Sequence, residues 1–132
     1  MKAHTRYDDI VPFVTRDGSL VRELMHPSHH AVMHQSLAEA VVEPGRRTLR
    51  HRHRVTEEIY HVTRGRGRMH LGNTRFDVAP GDTVCIAPGI AHCIENTGDE
   101  PLHILCTCTP PYSHDDTELL EAPPAAPQAP AR

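Results

Sequence analysis

Two histidines one residue apart, His51 and His53, open a segment that runs on through a pair of glutamates, Glu57 and Glu58 (HRHRVTEEIYHVTRGRG, residues 51–67). Imidazole and carboxylate are donors that first-row divalent metals accept, so the question is whether one ion could reach several of them. Val55, Ile59, Tyr60, Val62 and Thr63 give the segment the β-branched and aromatic composition of a strand. Side chains on a strand return to the same face every second residue. That sets His51 and His53 on one face, roughly 6.5–7 Å apart, the reach of two ligands on one metal. Taken alone, such a pair reads more readily as two solvated residues on a strand.

A third imidazole changes the balance. In GDTVCIAPGIAHCIEN (residues 81–96), His92 begins the strand that leaves a Pro88-Gly89 turn. Proline fixes φ there and glycine permits conformations that other residues resist, so His92 can project from a neighbouring strand toward the His51/His53 face. Parity separates the two glutamates: if Glu58 faces inward with Tyr60 and Val62, then Glu57, Ile59 and His61 face outward. Three imidazoles and one carboxylate suit a divalent transition metal (Fe, Mn, Ni, Cu or Zn) and suit Ca or Mg poorly. Other histidines, such as His29, His30 and His34, lie in a loop-like stretch and read as exposed polar residues.

The elements that must hold these donors are strands. Gly, Pro and Asn/Asp punctuation recurs at the spacing of an all-β sandwich or barrel, and helix signals are weak. PFVTRDGSLVREL reads as a hairpin turning at Asp17-Gly18, SLAEAVVEPG as a strand stopped by Pro44-Gly45, and PLHILCTCTP as the last barrel strand. Short strands in this number imply a jelly roll or small barrel with a ligand cavity at one mouth.

The donors and glycines together resemble the cupin family. Its first motif, G-x5-H-x-H-x(3,4)-E-x6-G, is filled by Gly45, His51, His53, Glu58 and Gly65. Its second, G-x5-P-x-G-x2-H-x3-N, is filled by Gly81, Gly89, His92 and Asn96, with Ala87 in the proline position and Pro88 beside it. The resemblance implies an all-β, cupin-type double-stranded β-helix (jelly-roll) barrel, usually a homodimer. It also implies that His51, His53, Glu58 and His92 ligate one metal and leave one or two positions for water, substrate or dioxygen. Ala87 departs at a turn and not at a ligand.

At 132 residues the chain forms one domain. Residues 1–34 are expected to be an N-terminal segment whose hairpin makes a dimer contact, and residues 35–109 the barrel, with the motifs at 45–65 and 81–96. Residues 110–120 then lie near the barrel mouth, and the Pro/Ala-rich 121–132 is a disordered tail. A formal charge of −3 without a basic run argues against nucleic acid as a partner. No apolar run approaches the ~18 residues of a membrane span, and the N-terminus lacks a signal-peptide core, so a cytoplasmic protein is expected. The four cysteines then read as free thiols, and the absence of CxxC disfavours a zinc ribbon. Cys106 and Cys108 share a strand face and read as small apolar residues of the core or cavity, while Cys93 points away from the metal.

Three functions of different class fit: a metal-dependent enzyme on a small oxygenated substrate (dioxygenase or isomerase type), a non-catalytic sensor, and a structural protein with a vestigial site. The lack of a separate DNA-binding or output region lowers the sensor and the intact donor set makes the structural protein least favoured, which leaves the enzyme first. Tyr60, on the Glu58 face, and Tyr112 and His114, in a segment able to fold over the mouth, are the candidate catalytic groups. One carboxylate against a divalent cation leaves net positive charge, which predicts an anionic or enolisable oxygen donor as substrate. No Gly-rich loop opens a helix to cradle phosphate.

Overall fold

The computed structural model describes residues 1–124; the rest of the expected tail, 125–132, lies outside the described residues. Apart from one 3-10 turn, Tyr7–Asp9, the regular structure among the described residues is all strand. The strands are β1 (Phe13–Val14), β2 (Leu20–Met25), β3 (Ser36–Val42), β4 (His51–His53), β5 (Glu57–Arg64) and β6 (Gly67–Leu71). They continue as β7 (Thr74–Val78), β8 (Thr83–Ile86), β9 (His92–Asn96), β10 (Leu102–Thr109) and β11 (Thr117–Leu119).

Two sheets form, both antiparallel. One runs β1-β2-β3-β10-β5-β8 and the other β11-β4-β9-β6-β7. Strands close in sequence are split between the sheets, the wrapping of a jelly-roll barrel, and this is the all-β double-stranded β-helix that the sequence implies. β1 and β2 pair in the larger sheet, β2 directly against β3, so the N-terminal hairpin is a wall of the barrel as well as an exposed surface.

Alternation sorts the side chains. Along β5 Glu58, Tyr60 and Val62 are buried while Glu57 and Ile59 are exposed; along β10 Leu102, Ile104, Cys106 and Cys108 are buried. Met69, Ile86, Ile94, Leu102, Ile104 and Val62, all fully buried, form the centre of the apolar core. Burying a side chain of that size contributes roughly 1.5–3 kcal/mol to the stability of the barrel.

Glycine is required where strands cross closely. Gly65 has φ +82°, and a Cβ there would lie 2.6 Å from the Pro101 carbonyl oxygen. No L side chain fits that position without backbone movement.

Glu121, expected to begin the tail, is instead anchored. Its carboxylate pairs with the Arg47 guanidinium and accepts the Arg50 backbone N–H at 2.9 Å. Charge complementarity, which composition does not reveal, extends the ordered chain past β11. Among the described residues no helix is long and apolar enough to cross a membrane. All four cysteines are free.

Candidate metal centre

The donors are brought together by register. β4 carries His51 and His53 on its inner face, with Arg52 between them turned outward. His92, first residue of β9, lies directly opposite His51. The Pro88-Gly89 turn is tied to β4 by a 2.7 Å bond from the Gly89 N–H to the His53 carbonyl. Glu58 reaches in from β5, across the barrel in the other sheet. One donor atom from each of His51, His53, Glu58 and His92 lies within 4.8 Å of the others, and all four residues are buried.

Second hydrogen bonds fix how each ring presents itself. His51 Nδ1 donates to the Leu49 carbonyl at 2.7 Å, and His92 Nδ1 donates to the Ile90 carbonyl at 2.9 Å. Thr117, the β11 residue paired with His53, gives its own hydroxyl proton to the Ser113 carbonyl and accepts from His53 Nδ1 at 3.0 Å. With Nδ1 protonated in all three rings, each neutral ring turns a lone pair at Nε2 into the cluster.

Those lone pairs face a carboxylate. Glu58 Oε1 is 3.1 Å from His53 Nε2 and 3.6 Å from His92 Nε2. His92 Nε2 is a buried nitrogen with no hydrogen-bond partner among the described residues. Acceptors converging on one point in a dry interior repel unless a cation lies between them. The donor set therefore fits a divalent transition metal, with the outer hydrogen bonds of a ligating histidine already in place.

Glu58 has its own support. Its β10 neighbour, Cys108, donates its thiol to Oε2 at 3.3 Å, which leaves Oε1 to face the histidines. Read from sequence as a small apolar residue, Cys108 thus supports a candidate ligand. Burial would raise the Glu58 carboxyl, but in the metal-free chain Nε2 protons on His53 and His92, by hydrogen bond and charge, outweigh it and hold the group at about 2; a bound ion would take the place of those protons. Burial and the neighbouring His92 push His51 below its ordinary value.

A cavity of about 60 Å³ adjoins the donors. That is room for roughly four to six waters or a small organic molecule. Val21, Leu37, Ala40, Val42, Ile94 and Ile104 form apolar wall, and Tyr60, Cys106, Cys108 and Tyr112 also line it. The Tyr60 ring centre is 5.9 Å from that of His92. Burial, then the Glu58 charge, raises the Tyr60 phenol far above its ordinary value, so it remains a donor. The Tyr112 hydroxyl lies 3.0 Å from His114 Nδ1 and 3.4 Å from Thr15 Oγ1. His114 is exposed and meets the cavity through Tyr112.

Sequence reasoning did not single out Asp17 or Thr117. Asp17 was expected only as a hairpin turn, yet its carboxylate lines the cavity with Oδ2 3.8 Å from His51 Nε2. Neither has a local signal: each gains its position by pairing with chain far away in sequence.

Comparison with known proteins follows the same lines. Residues 38–108 match the family model for the cupin domain, Cupin_2. An uncharacterised protein of Methanocaldococcus jannaschii is 54% identical over 117 residues, covering 89% of this chain and 94% of its own. The oxalate-binding protein of Thermotoga maritima is 30% identical over 93 residues, 68% of this chain and 77% of its own. The polyketide cyclase RemF of Streptomyces resistomycificus superposes with a TM-score of 0.77 over 94% of this chain and 89% of that one; at 18% identity this is a likeness of fold.

Proposed function

This chain belongs to the cupin family, and on that premise we propose that it is a metal-dependent enzyme acting on a small oxygenated organic molecule, of dioxygenase or isomerase type. In this reading His51, His53, Glu58 and His92 hold one divalent ion of Fe, Mn, Ni, Cu or Zn. The observation that carries it is His92 Nε2, buried without a partner among the described residues and directed with His53 Nε2 at one carboxylate oxygen, with a His51 nitrogen in the same cluster. Such an ion, when bound, supplies Lewis-acid or oxygen chemistry at its open positions.

The chain's own groups would do the rest. The apolar walls exclude water and orient the substrate. Tyr60, kept protonated by burial, donates a hydrogen bond to substrate oxygen where charge develops. Tyr112 and His114 form a hydrogen-bonded link between cavity and solvent along which a proton can move. The reading includes a cytoplasmic setting, which four unpaired cysteines fit. It also includes a homodimer built on the first hairpin, supported by the exposed apolar Val11, Phe13 and Val14. A monomeric mass by light scattering at tens of micromolar would remove the dimer.

A binding-only role has one specific support, the name of the Thermotoga maritima relative. Elemental analysis of untagged protein, followed by oxygen-electrode and product assays on small carbonyl compounds, separates the two. About one transition-metal ion per chain with turnover supports the enzyme. Metal with tight ligand binding and no turnover supports the binder, and protein that takes up no transition metal defeats both.

A further inference from the structure

From the charges that face the cavity, we infer that its ligand is an uncharged oxygen donor able to give a hydrogen bond, and that Asp17 enforces this selection against carboxylate anions. The inference rests on the metal-centre reading and names the substrate class for it.

Charge-counting from the ligands alone gives a different answer. A divalent ion and the Glu58 carboxylate leave one net positive charge, which would welcome an anion. The hairpin between β1 and β2 alters that sum. Asp17 sits at its tip, and its Oδ1 accepts the Ser19 N–H at 2.9 Å and the Ser19 hydroxyl at 2.6 Å. The Asp17 backbone carbonyl accepts the Leu49 N–H at 2.8 Å, two residues before His51, so the tip is pinned to the strand that carries the ligands. Its second oxygen, Oδ2, is left to face the cavity, 3.8 Å from His51 Nε2. The Asp17 side chain is 13% exposed, so solvent screens it weakly. With Asp17 counted, ion and carboxylates sum to zero.

Among the described residues the wall carries no fixed positive charge. No lysine or arginine among these residues lines the cavity, whereas Glu23 adds a further carboxylate, 3.8 Å from the His26 ring. An incoming dianion would have to approach two or three carboxylates through an apolar passage, and a site that recognises carboxylates normally supplies arginine or lysine for them. A neutral ligand meets no such opposition. Its carbonyl can take an open metal position, and a hydroxyl or N–H beside it can donate to Asp17 Oδ2. α-Hydroxyketones and the enol forms of dicarbonyls have this arrangement.

A ladder of three probes of equal heavy-atom count tests it: oxalate, oxamate and oxamide carry two, one and no negative charges on the same two-carbon frame. Their binding to metal-loaded protein is measured by titration calorimetry, with metal content determined on each sample, in wild type and Asp17→Asn. Asparagine keeps the Oδ1 acceptor for Ser19, and circular dichroism checks the fold; Asp17→Ser is the second variant. Removing the charge is expected to tighten oxalate about tenfold or more and oxamate by about threefold, while oxamide is unchanged or weaker. An equal change for all three probes, no oxalate binding to either protein at millimolar concentration, or weaker oxalate binding in the variant overturns the inference and leaves the metal centre standing. Protein that holds no metal overturns the proposed function, and the inference with it.

Discussion

Two histidine–glutamate pairs in this barrel have nearly the same separation and opposite characters. Inside, His53 Nε2 is 3.1 Å from Glu58 Oε1, with side chains 3% and 7% exposed. Outside, on the β6/β9 face, His70 Nε2 is 3.2 Å from Glu95 Oε1, with 22% and 34% exposed. The outer pair can rearrange, take up water or exchange its proton, so it contributes about 0–1 kcal/mol at most. The inner pair has no such freedom. Its histidine is held by Thr117, its glutamate by Cys108, and two further imidazoles face the same point. Contact distance between a histidine and a carboxylate therefore does not mark a site. Burial and the hydrogen bonds behind each donor do.

The sharpest way to break the comparison is to remove one member of each pair. Glu58→Ala and His53→Ala are expected to weaken metal binding by at least ~100-fold, more than loss of a supporting partner usually costs. Glu95→Ala and His70→Ala should leave metal content at the wild-type level. Metal retained in Glu58→Ala but lost in Glu57→Ala, read by mass spectrometry of metal content, would reverse the assignment of β5 faces.

Next in size is the hydroxyl that lines the cavity beside the donors. Tyr60→Phe keeps the ring and deletes the hydroxyl, so turnover on an identified substrate should fall roughly ten- to a thousandfold. Metal content and melting temperature should barely move. Full activity in the variant would assign Tyr60 to packing.

A smaller effect tests the support behind the inner pair. Thr117→Val removes the acceptor for His53 Nδ1 at nearly constant volume and should lower metal affinity about ten- to a hundredfold. Thr117→Ser should restore most of it. Equal affinities for valine and serine variants in a competitive chelator titration would mean that this hydrogen bond does not orient the ligand.

Acid provides the finest distinction. Glu58 titrates at about 2 in the folded chain against 4.5 ordinarily, so its contribution to metal-free stability is present above about pH 4.5 and is lost as pH falls toward 2. His51 is held below 6.5, so the unfolded chain protonates first and stability begins to fall below about pH 6.5. Urea melts of metal-free protein between pH 8 and 3 should show both declines, with the lower one missing in Glu58→Gln. An identical acid limb in that variant would show that Glu58 does not govern it. Metal affinity should follow the histidines, falling below about pH 6.5 and not near 4.5.

Much of this molecule was legible because its decisive spacings are local. His-x-His on a strand, the parity that separates Glu58 from Glu57, and the turn glycines are fixed by backbone geometry within a few residues. From these follow the four donors, the fold class and the metal class. Other features depend on which distant strand lies alongside. Thr117 supports His53 because β11 pairs with β4, and Cys108 supports Glu58 because β10 pairs with β5. A shift of one residue in either register would turn those side chains to the other face, and no local pattern reports the register. Asp17 reads in sequence as a turn residue, and only the docking of its hairpin on Leu49 brings a second carboxylate to the cavity. The sequence by itself determined which atoms can hold a metal. The tertiary structure decided what charge surrounds them, because electrostatic interaction depends on distance through space and not on separation along the chain.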